Sequence, residues 1–175
     1  MQIRIRFIRR IIVIDQKELF CENIRQCEKS MYALAYGILK NENDAADVIQ
    51  ESILKAYCNY EGLRNPKKFK QWILQIVHNT AIDFIRKRFD FLDTEIEEQA
   101  IPTAKIDKES KLVIWEAIQK VRLPYRTVLI LFYYEDYSVL QISEIMSTSR
   151  TTVRQQLSRG RKMLAKLLNK EDFLG

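Results

Sequence analysis

The residues best suited to chemistry in this 175-residue sequence are basic and amide side chains near its C-terminus. No acidic residue occurs between Glu144 and Glu171, whereas seven Arg or Lys do. Arg can pair with guanine and Gln with adenine through two hydrogen bonds each, and Ser, Thr and Lys can hold phosphates. A helix starting at residue 150 would place such side chains together, which predicts a DNA-binding face: Arg150, Thr151, Thr152, Arg154, Gln155, Ser158, Arg159 and Lys162.

Two further charged sets lie in the first half of the chain. The basic set surrounds the predicted third helix: Arg64, Lys67, Lys68, Lys70, Arg86, Lys87 and Arg88. The acidic set lies on the predicted second helix: Glu42, Asp44, Asp47 and Glu51. The basic set could bind a second DNA element and the acidic set a basic protein. Solvated helix faces with ordinary ion pairs are the alternative for both sets.

The sequence offers no catalytic or metal-binding constellation. Three cysteines without a CxxC motif and the single His78 cannot supply a four-ligand zinc site. The carboxylates are scattered, so neither a metal-dependent nuclease nor a nucleophile with its base is predicted. We therefore expect no enzyme activity, no cofactor and no small-molecule substrate. The longest apolar run near the start, Ile11–Ile14, is too short for a signal peptide or membrane span, so a cytoplasmic protein is expected.

The elements that must position these residues are predicted to be helices. Only four Gly and three Pro occur, too few for the turns of a sandwich, a barrel or a Rossmann-type fold. Apolar periodicity predicts helices over 15–39, 44–60 and 66–88. Asn43 or Asp44 would cap the second helix, and Asn65-Pro66 would start the third. The predicted inward face of the second helix holds Ile49, Ile53, Ala56, Tyr57 and Tyr60.

The charge distribution divides the chain into four parts. Residues 1–14 form a basic N-terminal extension, residues 15–90 a helical bundle, residues 91–110 an acidic linker and residues 111–170 a second helical unit. The net charge of +6 is therefore spread unevenly between these parts. We expect an all-α protein of two small helical domains joined by a flexible acidic linker.

The second unit contains the spacing of a helix-turn-helix. Ser138 and Gln141 form a capping-box pattern that opens a short helix. A polar turn over residues 147–149 then leads into the basic helix that begins at Arg150. In this motif the second helix enters the DNA major groove. The alternative is an ordinary helical hairpin with a charged outer face.

Several segments together carry a family resemblance. Residues 44–51 (DAADVIQE) and 72–87 (WILQIVHNTAIDFIRK) resemble region 2 of extracytoplasmic-function (ECF) sigma factors of RNA polymerase. Residues 123–126 (LPYR), 142–145 (ISEI) and 152–161 (TVRQQLSRGR) resemble region 4 of the same family. The matches run in the family order over roughly residues 17–168. Gln155 and Gln156 replace a small and a basic residue that many members carry, which affects the −35 sequence rather than the role.

The resemblance implies a role for each set of residues. Asp47, Gln50 and Glu51 would bind the β′ clamp helices of core RNA polymerase, and region 4 would contact the β flap. The −10 promoter element would be read, with one base flipped out, by Arg64, Asn65, Lys67, Lys68, Lys70, Asn79, Arg86 and Lys87. The helix from Arg150 would read the −35 element. Trp72 could stack on that base, although a core position is favoured.

The resemblance implies that the protein directs promoter-specific transcription initiation in an envelope-stress response. It also implies that a membrane-anchored anti-sigma factor inhibits the protein. The alternative from a different class is a two-domain helix-turn-helix regulator. It would bind duplex operator DNA without being a polymerase subunit. That alternative is not favoured, because it explains neither the sequence of residues 79–87 nor the acidic set.

Overall fold

The computed structural model describes residues 2–60, 63, 65–91 and 110–171, with side chains described for 16–60, 63, 65–88 and 113–168. These residues contain α-helices and short 3₁₀ segments but no strand, so the predicted all-α class is confirmed. The α-helices are α1 (Gln2–Leu39), α2 (Glu42–Asn59), α3 (Phe69–Phe91), α4 (Ser110–Gln119), α5 (Tyr125–Tyr133), α6 (Val139–Ile145) and α7 (Arg150–Glu171).

Helices α1, α2 and α3 pack on one another as the first bundle. Its core contains fully buried side chains from all three helices: Met31, Leu34, Val48, Ile73, Leu74 and Val77. Helix α1 begins at Gln2, earlier than the residue 15 that periodicity predicted. No Gly or Pro precedes Gly37, so the backbone meets no residue that would stop a helix.

The start and the buried face of α2 both differ from the prediction. The N-cap is Asn41, whose side chain accepts a 3.0 Å hydrogen bond from the Asp44 backbone, so the predicted caps Asn43 and Asp44 are wrong. The buried face consists of small residues and one valine, namely Ala45, Val48, Ser52 and Ala56. Of the residues predicted to point inward, Ala56 is buried, Ile49, Ile53 and Tyr60 are partly buried against the core, and only Tyr57 is exposed, at 47%. Small side chains let α2 approach its neighbours closely, a preference that apolar periodicity alone does not reveal.

The predicted start of the third helix is confirmed. The Asn65 side chain accepts a 3.1 Å hydrogen bond from the Lys67 backbone, and Pro66 takes the first helical position. Proline fits there because its missing N–H would have no intrahelical partner. One 3₁₀ turn, Pro66–Lys68, leads into α3 at Phe69.

Helices α4 to α7 form the second bundle around buried apolar side chains: Ile118, Leu129, Leu131, Ile142, Ile145 and Val153. Trp115 packs edge-to-face on Tyr134 at 4.7 Å between ring centroids. Gly160 lets α7 lie close to α5, because a Cβ there would come within 3.2 Å of Leu129 Cγ. This packing fixes α7 against the bundle and leaves its other side outward.

The two bundles contact each other directly. Helix α1 packs on α5, and α3 packs on α6. The sequence predicted two domains joined only by a flexible linker. The patterns in the sequence gave no indication of this contact between them. The linker predicted over 91–110 lies outside the described residues, except for its two end positions.

Candidate nucleic-acid interface

A helix-turn-helix occupies the second bundle at the predicted place. Ser138 and Gln141 form the capping box: the Gln141 side chain accepts a 3.0 Å bond from the Ser138 N–H, and the Ser138 hydroxyl caps the third helical residue. Ser147 in the turn has φ 50°, a left-handed conformation. The Ser149 hydroxyl then accepts a 3.0 Å bond from the Thr152 N–H and caps α7. Both helices are therefore fixed at their starts by side-chain hydrogen bonds.

The outer face of α7 presents most of the predicted DNA-contacting side chains to solvent. The exposed residues are Arg150, Thr151, Arg154, Gln155, Ser158, Arg159 and Lys162. Thr152 is half-buried, and its hydroxyl lies 2.8 Å from that of Ser149. The structure therefore joins the Thr152 side chain to the N-cap residue Ser149 and leaves seven of the eight predicted side chains on an open, basic face.

Arg159 is held by a neighbouring aromatic residue. It hydrogen-bonds the Tyr125 hydroxyl, and this contact lowers the pKa of the Tyr125 phenol. The Arg122 guanidinium lies 5.7 Å from the centroid of the same ring. A guanidinium held this way loses less conformational freedom when it binds an anion.

The basic set of the first bundle divides into two groups along α3. Lys67, Lys68 and Lys70 are exposed around its start, next to the exposed Asn65, whereas Arg86, Lys87 and Arg88 are exposed near its end. Sixteen residues of helix separate Lys70 from Arg86, which is about 24 Å. Arg64 lies outside the described residues.

Three residues of the basic set have acidic partners. Lys70 Nζ lies 2.7 Å from Glu135 Oε2 of the second bundle, Arg86 lies 3.3 Å from Asp83, and Arg88 lies 2.9 Å from Asp44. Among the predicted cations of the first bundle, Lys67 and Lys68 are exposed and next to each other at the start of α3. The start of α3 is therefore the part of this set best placed to meet a phosphate chain.

A cavity of about 490 Å³ lies between α2 and α3. Its lining combines a cation, a carboxylate, amides, a hydroxyl and an indole: Lys55, Asn59, Trp72, Ile76, Asn79, Thr80 and Asp83. Lys55 Nζ donates a 3.2 Å hydrogen bond to Thr80 Oγ1 and lies 2.7 Å from Glu51 Oε1. Hydrogen-bonding groups beside a flat aromatic wall are the features that bind an unstacked base.

Trp72 has a position compatible with both of the roles that the sequence left open. It is half-buried and packs edge-to-face on Phe69 at 5.7 Å between ring centroids. It also lines the cavity. The core position that the sequence favoured is therefore present, and one part of the indole remains available to the cavity.

The amide of Asn79 has a buried neighbour. His78 is 7% exposed, and its Nδ1 lies 3.2 Å from Asn79 Oδ1. Burial lowers the pKa of His78, so the imidazole is neutral near pH 7. When the neutral His78 ring carries its proton on Nδ1, this N–H donates a hydrogen bond to Asn79 Oδ1. The N–H groups of the Asn79 amide then have no role in this contact and remain free for other partners.

The predicted polymerase-binding residues lie together on the outer face of α2. Asp47, Gln50 and Glu51 are all exposed. Leu54, 66% exposed, and Tyr57 continue the same face by helical spacing. Asp44 of the acidic set is less available, because it pairs with Arg88 at 2.9 Å.

Sequence reasoning missed several of these positions. Lys55, Asn59 and Thr80 line the cavity, and Leu54 extends the α2 face, yet none was predicted as a contact. Leu54 was detectable as a large apolar residue three positions after Glu51 on an otherwise polar face. Lys55 carried no distinct signal, because a Lys four residues after a Glu is typical of any exposed helix.

The described part of the chain contains no grouping of three or more potential metal ligands. Within the same residues, no helix is both long enough and apolar enough to span a bilayer. The helix-turn-helix and its exposed basic face together define a DNA-binding protein.

Comparison with known proteins agrees with this class. Residues 24–89 match "Sigma-70 region 2" and residues 111–164 match "Sigma-70, region 4". The chain is 35% identical over 159 residues to the RNA polymerase sigma factor SigV of Bacillus subtilis (strain 168), covering 90% of this chain and 95% of that protein. It is 30% identical over 168 residues to the ECF sigma factor SigW of the same organism, covering 87% and 90%. The chain belongs to the ECF group of RNA polymerase sigma factors.

Solved structures share the fold. The sigma factor RpoE from Bartonella quintana, solved with the anti-sigma factor NepR, matches with a TM-score of 0.73 and 21% identity over 86% of this chain and 96% of that one. CnrH, solved with the cytosolic domain of CnrY, matches with a TM-score of 0.61 and 18% identity over 86% and 88%. As a sigma factor, the protein directs transcription initiation with RNA polymerase and is not an enzyme. The alternative of a regulator independent of the polymerase is not favoured.

Proposed function

We propose that the first bundle reads the −10 element by accepting one unstacked base into the cavity between α2 and α3. The observation that carries this proposal is the lining, which sets the amides of Asn59 and Asn79 and the Lys55 ammonium beside the Trp72 indole. Amides hydrogen-bond the Watson–Crick edges of bases, and an indole stacks on any base. Lys67 and Lys68 at the start of α3 neutralise the strand that delivers the base.

The outer face of α7 reads the −35 element in the major groove. Arg154 and Gln155 are exposed one turn into the helix, where a recognition helix contacts base edges. Arg159, held against Tyr125, and Lys162 lie further along the same helix. We assign Arg154 and Gln155 to base contacts, and Arg150, Ser158, Arg159 and Lys162 to the phosphate backbone.

The outer face of α2 binds core RNA polymerase at the β′ clamp helices. Asp47 and Glu51 supply negative charge, and Leu54 and Tyr57 supply apolar area beside it. This combination suits a basic protein surface with an apolar centre, because charge guides association and apolar burial stabilises the complex. The second bundle contacts the β flap.

An anti-sigma factor restrains the protein in the cytoplasm until an envelope-stress signal arrives. Two fold neighbours, RpoE and CnrH, were solved with NepR and with the cytosolic domain of CnrY, and this supports a proteinaceous inhibitor for the present chain. A membrane-anchored inhibitor would link the signal outside the cell to a sigma factor inside it.

Run-off transcription tests the proposed function. Purified core polymerase with this protein is expected to initiate at promoters that core polymerase alone ignores, and sequencing of the transcripts would give the two promoter elements. Failure to initiate at any genomic promoter, with tight binding of the free protein to duplex DNA, would contradict it.

A further inference from the structure

Two guanidiniums of the second bundle converge on one phenol at the edge of the outer face of α7. Arg122 precedes α5, Tyr125 is the first residue of α5, and Arg159 lies near the middle of α7. The Tyr125 side chain forms hydrogen bonds with both Arg159 and Arg122. The Arg122 guanidinium also lies 5.7 Å from the centroid of the Tyr125 ring. These three residues are called the arginine–tyrosine cluster below.

The packing of α5 on α7 brings the cluster together. Leu129 lies one turn after Tyr125 on α5, and Gly160 follows Arg159 on α7. A Cβ at Gly160 would come within 3.2 Å of Leu129 Cγ, so the two helices approach closely at this point. The Tyr125 ring is partly buried against the core, which fixes the position of its hydroxyl. Arg122 and Arg159 are exposed, so their guanidiniums meet solvent beside that hydroxyl.

The cluster carries positive charge without a carboxylate to balance it. Among the residues whose side chains the structure describes, neither Arg122 nor Arg159 forms an ion pair. By contrast, Arg25, Arg86 and Arg88 each pair with a carboxylate. Two like charges held side by side repel each other, and an anion bound between them replaces this repulsion by attraction. The cluster therefore favours an anionic ligand.

The hydrogen bonds within the cluster leave donors for that anion. A guanidinium can only donate, so the Tyr125 oxygen accepts from Arg159 and Arg122 and its own O–H proton remains available. The hydrogen bond from Arg159 is the main cause of a lowered pKa at Tyr125, which makes the phenol O–H a stronger donor. This O–H and the remaining guanidinium N–H groups match the charged oxygens of a phosphodiester.

We propose that Arg122, Tyr125 and Arg159 bind a phosphodiester of the promoter strand beside the −35 element, so that the DNA contact extends from α7 to the start of α5. The proposal rests on the proposed −35 role of α7 and adds a site outside that helix. Lys162 lies one turn after Arg159 on the exposed outer face. A duplex on that face passes one of its strands along the cluster, and phosphate is the anion that the strand presents. Arg122 and Arg159 supply the charge, and Tyr125 is a positioning residue.

The first test is Arg122→Gln, with Arg25→Gln on an exposed position of α1 as the matched control. Polymerase holoenzyme containing each variant is titrated onto a promoter duplex found by run-off transcription, at several salt concentrations, with fluorescence anisotropy as the readout. One phosphate contact contributes about 0.9 to the slope of log affinity against log salt concentration, so Arg122→Gln should bind about eightfold more weakly at about 0.1 M salt. This deficit should disappear on extrapolation to about 1 M salt. An unchanged slope would overturn the proposal.

Tyr125→Phe tests the positioning role, because it keeps the packed ring and both charges and removes only the hydroxyl. Binding should weaken about fivefold, the effect of one hydrogen bond, with an unchanged salt slope. Since the hydroxyl acts together with Arg122, the double variant should lose less affinity than the product of the two single losses. Tyr32→Phe, at an exposed position of α1, is the control. Multiplicative losses would show that Tyr125 does not act through the cluster.

Neutral phosphates identify the contacted position. Methylphosphonates placed one at a time beside the −35 element each remove a single charge from the strand. At the contacted phosphate, Arg122→Gln should no longer weaken binding, because the charge that it lost has no partner there. A deficit that persists at every position would contradict a contact with the backbone.

Two comparisons separate this site from the proposed function. Arg154→Ala reports on −35 recognition by α7 with the same duplex. A defect in Arg154→Ala with none in Arg122→Gln would refute the phosphate site and leave the −35 role intact. A salt-dependent defect in Arg122→Gln alone would support the phosphate site and count against the role of Arg154. Loss of holoenzyme assembly in Arg122→Gln, with a natural salt slope, would mean that the cluster binds an acidic protein surface and would refute the proposal.

Discussion

Lys55 of α2 donates a 3.2 Å hydrogen bond to the hydroxyl of Thr80 on α3, across the cavity between the two helices. The same ammonium lies 2.7 Å from Glu51 on the face proposed for polymerase binding. Lys55 therefore links the two surfaces of α2. If a cationic group of the polymerase pairs with Glu51, the Lys55 ammonium loses that ion-pair partner. The ammonium is then free to interact with a group bound in the cavity.

Lys55→Met should weaken binding of the −10 strand, because it keeps the aliphatic stem and removes the charge from the cavity. We expect a loss of about 1–3 kcal/mol, the range for one base contact. Fluorescence anisotropy with a −10 oligonucleotide and the polymerase holoenzyme would measure it. Lys29→Met, at an exposed position of α1, is the control and should bind as the natural protein does.

Asn79→Ala should relax base preference more than it lowers overall affinity. The Asn79 amide lines the cavity, and a good amide–base pairing discriminates by about 1–3 kcal/mol. Transcription from promoters with each −10 base replaced in turn would show which position loses discrimination. Asn43→Ala, exposed in the first turn of α2, should leave every preference unchanged. A variant that still distinguishes all −10 bases would remove Asn79 from the reading surface.

Arg154→Ala should lower use of the −35 element by about 1–3 kcal/mol if the guanidinium contacts a base. Lys166→Ala lies three turns further along α7 and serves as the control. Run-off transcription from promoters with and without the −35 element separates the two variants. The Arg154 defect should vanish when that element is deleted, and a defect that persists would point to lost folding instead.

Asp47→Arg combined with Glu51→Arg should abolish co-purification with core polymerase. Both substitutions replace a negative charge on the α2 face by a positive one, which would repel a basic surface of the polymerase. The Glu51–Lys55 pair is solvent-exposed, so its loss costs at most about 1 kcal/mol of stability. Circular dichroism should therefore remain that of a folded helical protein. Glu18→Arg with Glu28→Arg makes the same charge change on exposed positions of α1. Equal polymerase binding by both double variants would place the contact elsewhere.

The stability of the first bundle should decrease as the pH falls below about 6.5. Burial lowers the pKa of His78, so the unfolded chain binds a proton that the folded chain excludes. Stability is complete above the unfolded pKa of about 6.5 and declines toward the lower folded value. Thermal melts between pH 7.5 and 5.5 would measure this decline. His78 is the sole histidine, so His78→Gln should flatten the slope, and an unchanged slope would show that His78 does not cause it.

The features predictable from the sequence are those fixed by neighbours in the chain. The Asn65-Pro66 start and the Ser138–Gln141 capping box depend on residues within three positions of each other, and the structure has both. The prediction for the inward face of α2 was correct for Ala56 and wrong for Tyr57, and it missed Ala45 and Ser52, because small side chains are buried through close helix contacts rather than through hydropathy.

The contact between the bundles could not be predicted in the same way. Lys70 and Glu135 are separated by most of α3 and by the linker, and nothing in either local pattern points to the other. The same holds for Arg126, whose bonds to the end of α1 depend on how the two bundles meet. The cavity is likewise a product of packing, because its lining comes from α2 and α3 together.

The side-chain amide of Gln119 lies buried where the second bundle meets Gly37 of α1, and neither its nitrogen nor its oxygen has a hydrogen-bond partner. Burying such an amide costs free energy. An apolar residue of similar size would remove that cost and stabilise the contact between the two bundles. The strength of this contact therefore depends on one side chain that belongs neither to the proposed DNA-binding surfaces nor to the proposed polymerase-binding surface.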